Sequence, residues 1–372
     1  MPFNTKSLFS LRSWLFYAEV LAVIGFIVLA SLYIRRGSAE LESPPVSQAG
    51  TFIEKADTLF AEQDLVDAAL FYWRALQALE TAGKEQEVSV NGVLQTSAEV
   101  RLHANLRIAE IYSQSNWLKD AKARLEHAAR IQPDHADVRL LRGKLLRDEG
   151  LDDELLAQAT QEFLAVLESD PGNAEAHYLL GVLYQGNRQY PQAVEHYKQA
   201  IDNDPEFRDI ASEKAPIGIL ARLQLSRTYS KMLQGYQFLD REFTDEDLAE
   251  VSRLESESIL VLEQALEKRP GMDEIVGDLV RLWLVRAAAL EREDIETRGY
   301  ANALRAYERI VELDPQEVRA WERMAEIYGS FLRDNAKALE MYRKVYEIEP
   351  HPTVLANIKS LEEEIAAEKM EE

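Results

Sequence analysis

Apolar and polar residues alternate along most of this chain with the period of a helix. From about residue 49 to residue 351, apolar positions fall three and four apart in runs of roughly a dozen residues, broken by short polar stretches rich in Gly, Asn, Asp and Pro. Helices joined by tight turns are the expected elements, and strand signals are nearly absent. One segment breaks the alternation. Trp14 to Ile34, WLFYAEVLAVIGFIVLASLYI, is apolar all round and as a helix is long enough to cross a hydrocarbon core, which takes about 20 residues.

Trp14, Tyr17 and Tyr33 sit near the ends of that segment, where amphipathic rings prefer the headgroup zone. A cleaved signal peptide would have a shorter apolar region ending in small residues; this run ends in Arg35 and Arg36. The expected layout is a tail over 1–12, a membrane helix over 13–36 and a Pro/Ser spacer over 37–48. Glu19, one turn inside the span, reads either as an intramembrane contact with another helix or as a side chain that snorkels to the interface. Positive charge is nearly balanced across the span, with Lys6 and Arg12 on one side and Arg35 and Arg36 on the other. Glu40 and Glu42 favour retaining the short N-terminal tail inside. The expectation is therefore a single-pass protein of a bacterial inner membrane with its body outside the cytoplasm, a cytoplasmic body being the alternative.

Beyond the spacer the sequence repeats. From Ala174 to Phe207, Leu180, Gly181, Tyr184, Ala193, Tyr197, Ala200 and Pro205 set out small and large positions that let two antiparallel helices approach and fill the space around them. The same frame fits Leu102 to His135 with Ile108, Ala109, Tyr112, Ala121, Leu125, Ala128 and Pro133. From Ala136 it has Gly143, then after an insertion around Gly150 Ala159, Phe163, Val166 and Pro171. Val318 to Pro350 gives Trp321, Met324, Ala325 and Tyr328, then, one residue late, Ala338, Tyr342, Val345 and Pro350.

This pattern closely resembles the tetratricopeptide repeat (TPR) family, with His177 where the family usually has Trp. The resemblance implies an all-α, right-handed solenoid of about seven helix pairs plus a C-terminal cap, following a single N-terminal transmembrane helix. The units fall near 49–82, 102–135, 136–173, 174–207, 220–272, 274–317 and 318–351, and a capping helix with an acidic tail takes 352–372. Between the first two units, KEQEVSVNGVLQTS reads as a polar loop. In the fifth, helices near 220–233 and 257–268 flank an insertion over 234–256. In the sixth, the first helix, with Trp283 and the Ala287 to Ala289 run, is stretched.

In the family the units stack into a superhelix whose first helices line an inner groove. The implied lining is His103, Leu106, Glu110 and Ser113; Asp137, Leu140, Lys144 and Arg147; Glu175, Tyr178, Val182 and Gln185; and Arg319, Glu322 and Glu326. Such a mixed lining suits an extended peptide or a partner helix. The Lys and Asn pair with which chaperone-binding members clamp a C-terminal carboxylate is missing: its places hold Leu106/Glu110, Leu140/Lys144, Tyr178/Val182 and Glu322/Glu326.

Composition narrows the partner. The net charge is -23, and the first 48 residues, with four basic and three acidic side chains, contribute none of the excess. A body with that field repels phosphate backbones, which argues against nucleic acid. The chain has no cysteine, excluding thiolate metal sites, disulfides and cysteine nucleophiles. No phosphate-cradling glycine loop, HExxH or GxSxG appears, and the six histidines are scattered. The expectation is a non-enzyme without cofactor, metal or small-molecule substrate, which binds proteins, a membrane protein among them. The layout resembles envelope scaffolds such as the ancillary subunit of the protein translocon and lipopolysaccharide-assembly protein B. The reading is a membrane-anchored scaffold that assembles or stabilises a complex; a client holdase and a permanent accessory subunit are the alternatives.

Overall fold

A computed structural model describes residues 44–150, 152–204, 216–237, 243–297 and 300–371. The expected membrane segment over 13–36, with Glu19, lies outside the described residues. Among those described, no helix is long and apolar enough to cross a membrane. The chain divides into two compact units, residues 1–132 and 133–372.

The first unit opens with a short 3-10 turn, Val46–Gln48, and α1, Ala49–Ala61, which pairs with α2, Leu65–Ala78. After the strands β1, Glu87–Val90, and β2, Val93–Thr96, come α3, Ser97–Gln114, and its partner α4, Leu118–Ile131. Asp64 caps α2 and Thr96 caps α3 in a reciprocal box with Glu99. The core gathers Ile53 and Ala56 of α1, Tyr72 of α2 and Leu79 just past its end, and Ile108 of α3, together with Val88 and Val90 of β1.

The strands correct the sequence reading, which took KEQEVSVNGVLQTS for a polar loop. VSV and VLQT flank Asn91-Gly92, and both turn residues have positive φ, 50° and 77°. This is the signature of a two-residue hairpin, short enough to be passed over among helices.

In the second unit the pairs are α5, Ala136–Glu149, with α6, Asp153–Ser169; α7, Ala174–Gly186, with α8, Tyr190–Asn203; and α9, Ile217–Gln237, with α10, Asp245–Lys268. Then follow α11, Asp273–Thr297, with α12, Ala301–Leu313; α13, Val318–Glu326, with α14, Asn335–Ile348; and α15, Pro352–Glu371. The small positions act as the sequence implies. A Cβ on Gly181 would stand 2.6 Å from the Tyr197 ring, and one on Gly143 would collide with the Phe163 ring.

The expected insertion over 234–256 is mostly helix. α9 runs to Gln237 and α10 starts at Asp245, so the extra residues lengthen both arms of one hairpin. Met232, Leu233 and Tyr236 pack with Leu254 along the added turns, and Arg253 pairs with Glu250 at 2.6 Å. The single late residue in the last repeat also has a local answer. It is absorbed by a π-helical turn over Ile327–Phe331, in which the Leu332 N–H reaches the Ile327 carbonyl at 3.0 Å.

A backbone turn that the sequence does not announce recurs where first helices end. Gln63, Asn116 and Arg188 have φ of 61°, 60° and 59°, and the next N–H returns to the carbonyls of Leu59, Tyr112 and Tyr184 at 2.9, 2.8 and 2.9 Å. This left-handed cap usually falls to glycine. At the far end, α15 buries Val354 and Ile358 against Val345 and leaves most of its remaining surface to solvent, which closes the last apolar face.

Candidate functional site

In the first unit the inner helices α1 and α3 meet at Asp57. Its carboxylate accepts from the Tyr72 hydroxyl at 2.5 Å and lies 2.7 Å from His103 Nε2. Burial raises the Asp57 pKa, but the bonds from His103 and Tyr72 more than offset it and hold the carboxyl below its ordinary value. Burial, then Asp57, pushes the Tyr72 phenol far up. His103 is thus engaged within the protein. Glu110 pairs with Arg107 at 3.0 Å, and the Arg107 guanidinium lies over the Phe60 ring at 4.8 Å. Ser113 is half-buried on the same helix. Leu106 is only 9% exposed and contributes packing, so it offers a partner little surface.

In the second unit, Lys144 pairs with Glu175, tying α5 to α7, and Arg147 pairs with its neighbour Asp148 at 2.7 Å. Leu140 is buried in the core with Phe163 and Leu179; Asp137 is exposed. Gln185 donates to Thr228 Oγ1 at 2.8 Å and to the Gln224 carbonyl at 3.3 Å, linking α7 to α9. Arg227 continues the chain of contacts to α11, with Glu274 at 2.6 Å and Asp278 at 3.2 Å.

Tyr178 stands among these charges. Burial raises its phenol pKa, Arg147 and Arg227 pull it down, and Glu274 pushes it up, for a net rise. Its ring meets that of Tyr197 at 6.1 Å, and half-buried Val182 packs on the same cluster. The sequence reading named Tyr178, Val182, Gln185 and Arg147 but missed Gln224, Arg227 and Thr228, because the fifth repeat fits the frame poorly, and Glu274, because the first helix of the sixth is stretched. Farther along, Glu322 and Glu326 are half-buried and Arg319 exposed; Arg319 pairs with Glu317 at 2.8 Å. Arg323 binds Glu291 and Glu326, and buried Glu291 also accepts from the Tyr307 hydroxyl.

Asp57 and Val182 occupy equivalent places in their repeats, and the difference has a consequence. Tyr72 finds its acceptor in Asp57, while the hydroxyl of Tyr197, fully buried beneath Val182 and Tyr178, has no hydrogen-bond partner in the protein. Among the described residues no group of three or more His, Cys, Asp or Glu side chains could hold a metal ion. Opposite charges on these faces are largely paired, so the surface offers hydrogen bonds, aromatic rings and short-range ion pairs. That is an inventory for recognition, with no activated nucleophile or poised acid and base pair.

Residues 102–135, 174–207 and 318–352 match the sequence patterns of the tetratricopeptide repeat family. The chain carries tetratricopeptide repeats. Paired helices also precede and separate those stretches; α1 and α2, at 13 and 14 residues, match the arms of α7 and α8, while α9, α10 and α11, at 21, 24 and 25 residues, are longer. No curated protein sequence matches the chain. Among solved structures, it is similar to a thermophilic TPR protein of Thermus thermophilus, at 14% identity and a TM-score of 0.45, over 63% of this chain and 99% of that one. PilF of Pseudomonas aeruginosa gives 14% identity and 0.41, over 72% and 100%. The C-terminal part of a TPR repeat-containing protein from Cytophaga hutchinsonii gives 15% and 0.48, over 82% and 99%. TPR folds generally serve as non-enzymatic scaffolds for contacts between proteins.

Proposed function

We propose that this chain is a membrane-tethered scaffold that holds a protein partner on the inner faces of its repeats and thereby assembles or stabilises a membrane complex. The observation that carries the binding part is the face built by α5, α7, α9 and α11, which contacts of Lys144 with Glu175, Gln185 with Thr228 and Arg227 with Glu274 join, and on which Tyr178 and Val182 lie within the electrostatic reach of Arg147 and Arg227. In a chain of net charge -23, this face intersperses both signs around an aromatic centre, which fits an extended segment with apolar anchors and mixed charge. The tether rests on the sequence of residues 14–34, and the partner class on Glu19 within it. In this reading the N-terminal tail faces the cytoplasm across a bacterial inner membrane and the repeats lie on the other side, because Glu40 and Glu42 accompany Arg35 and Arg36 and a short tail is the simpler one to retain; a cytoplasmic body is the alternative.

The test is gentle detergent extraction of the tagged full-length protein and mass spectrometry of what accompanies it, compared with a chain starting at Ala49 and with Tyr178→Ala and Arg227→Glu variants. One dominant membrane partner, lost on removing residues 1–48 and weakened by the two groove changes, supports the proposal. Many unrelated clients retained by the shortened chain would replace it with a holdase. A dominant partner indifferent to both groove changes would move the binding surface elsewhere.

A further inference from the structure

The β1–β2 hairpin is foreign to a repeat of helix pairs, and the groove leaves it unused. β1 turns Val88 and Val90 inward, where both are buried. Its Ser89 carbonyl lies so close to Gly50 that a Cβ there would collide with it. The Asn91 N–H donates to the Glu54 carboxylate. These contacts fix the hairpin to the first turns of α1. Its other strand is uncovered: Val93 and Leu94 are 60% and 63% exposed, the most exposed large apolar side chains among the described residues.

A third strand is a poor cover for them. Val90 pairs with Val93 and Val88 with Gln95 across the two-residue turn, so those pairs exchange the ladder bonds, and Leu94 and Thr96 direct their backbone groups outward. The Thr96 N–H is already given to Glu99 at 2.7 Å. Leu94 alone offers both a donor and an acceptor, which is too little to recruit a strand.

The position of the hairpin favours a lipid surface. The 3-10 turn where the described chain begins touches β1, and seven residues separate Arg36 from Pro44. At about 3.3–3.6 Å per extended residue, the hairpin is within reach of the bilayer that the proposed span would cross. We infer that the hairpin tip, carrying Val93 and Leu94, seats in the headgroup layer of the membrane that holds the chain; this rests on the tethered reading above. Two apolar side chains would not keep a free protein on a bilayer. A tethered one acts at an effective concentration in the millimolar range, so weak insertion is enough to orient the first unit. Exposed Glu85, two residues before β1, and Glu87, its first residue, put negative charge on the hairpin, so the contact is with zwitterionic lipid, and anionic lipid weakens it.

Because the chain has no cysteine, single labels report cleanly. The full-length protein with Leu94→Cys, carrying an environment-sensitive fluorophore, is reconstituted in phosphatidylcholine vesicles whose upper acyl chains bear nitroxide quenchers. Leu260→Cys, at a position 56% exposed in the other unit, is the reference, and vesicle flotation scores the tether. The expected result is flotation with several-fold stronger quenching at Leu94→Cys, reduced when phosphatidylglycerol is added. Flotation with equal quenching at both sites overturns the hairpin inference and leaves the tether standing. Failure to float overturns both. A blue-shifted but unquenched label whose signal grows with protein density assigns the tip to a second copy and overturns the lipid contact. Moving the label to Glu87→Cys, with Val93 and Leu94 intact or both changed to Ser, separates the pull of the hairpin from that of the dye: quenching should fall in the Ser pair, and unchanged quenching overturns the inference.

Discussion

Gly181→Ala and Gly277→Ala add the same methyl group to two helices, and the structure predicts opposite signs. The methyl carbon added at Gly181 would stand 2.6 Å from two Tyr197 ring carbons and 3.0 Å from a third, against about 3.5–4.0 Å for relaxed carbon contacts. Tyr197 is fully buried, so the ring cannot step aside, and α7 and α8 must separate. Overpacking of this kind costs about 1–3 kcal/mol, and the gain in helix propensity returns about 0.8–1 kcal/mol. The net expectation is a loss of up to about 2 kcal/mol, centred on roughly 1 kcal/mol. Gly277 lies within α11, is exposed, and has nothing within 4 Å of its added Cβ; there the propensity term acts alone and the protein gains up to about 1 kcal/mol. Denaturant midpoints followed by circular dichroism, with the slope checked for constancy, measure both. Adding Tyr197→Leu to Gly181→Ala should recover part of the loss relative to the two single changes. If Gly181→Ala is neutral or stabilising, glycine does not set the approach of these helices and the packing argument fails.

Other expectations follow from named contacts. Tyr197→Phe removes a buried hydroxyl that has no partner and should leave stability unchanged or raise it by about 1 kcal/mol. Asp57→Val, which copies Val182 into the first repeat, strands the Tyr72 hydroxyl and the His103 imidazole and should cost about 1–3 kcal/mol; adding Tyr72→Phe should return part of it in the same denaturation assay. Arg188→Gly relieves a non-glycine residue at φ 59° and should raise the midpoint by the equivalent of about 1 kcal/mol. The His196 and His177 Nδ1 atoms lie 3.0 Å apart, and His177 Nε2 donates to the Pro171 carbonyl at 3.1 Å. In the neutral pair His196 Nδ1 is therefore the donor. Burial, then His177, lowers the His196 pKa, so below about pH 6.5 the unfolded chain binds the proton that the folded one refuses. Stability should fall from pH 7.5 to 5.5 by at most about 1.4 kcal/mol per pH unit from this group, and His196→Phe should flatten that part of the slope.

Much of the fold was legible because the TPR frame is written in residue size. Gly143 against Phe163 and Gly181 against Tyr197 are pairs that a chain with helical period can satisfy only as antiparallel hairpins. The hairpin over 87–96 was legible in principle from Val-Asn-Gly-Val but was outweighed by the helical surroundings. The lengths of α9 and α10 were not, because the residues over 234–256 depart from the family frame and declare no partner until Leu254 meets Tyr229 and Tyr236.

The inner-face residues show the division most directly. Sequence spacing by itself determined which residues sit on the first helices, since the 3.6-residue period and the repeat register fix a residue's face without reference to anything distant. Only tertiary structure decided what each could still offer. Leu106 and Leu140 are spent on packing, His103 on Asp57 and Lys144 on Glu175, while Arg227, from a repeat the frame barely fits, pairs with Glu274 and Asp278 and, with Arg147, adds positive charge to the surroundings of Tyr178. The reason is physical: a residue's face is set by local geometry, but its free surface and its charge partners are set by neighbours that arrive from elsewhere in the chain.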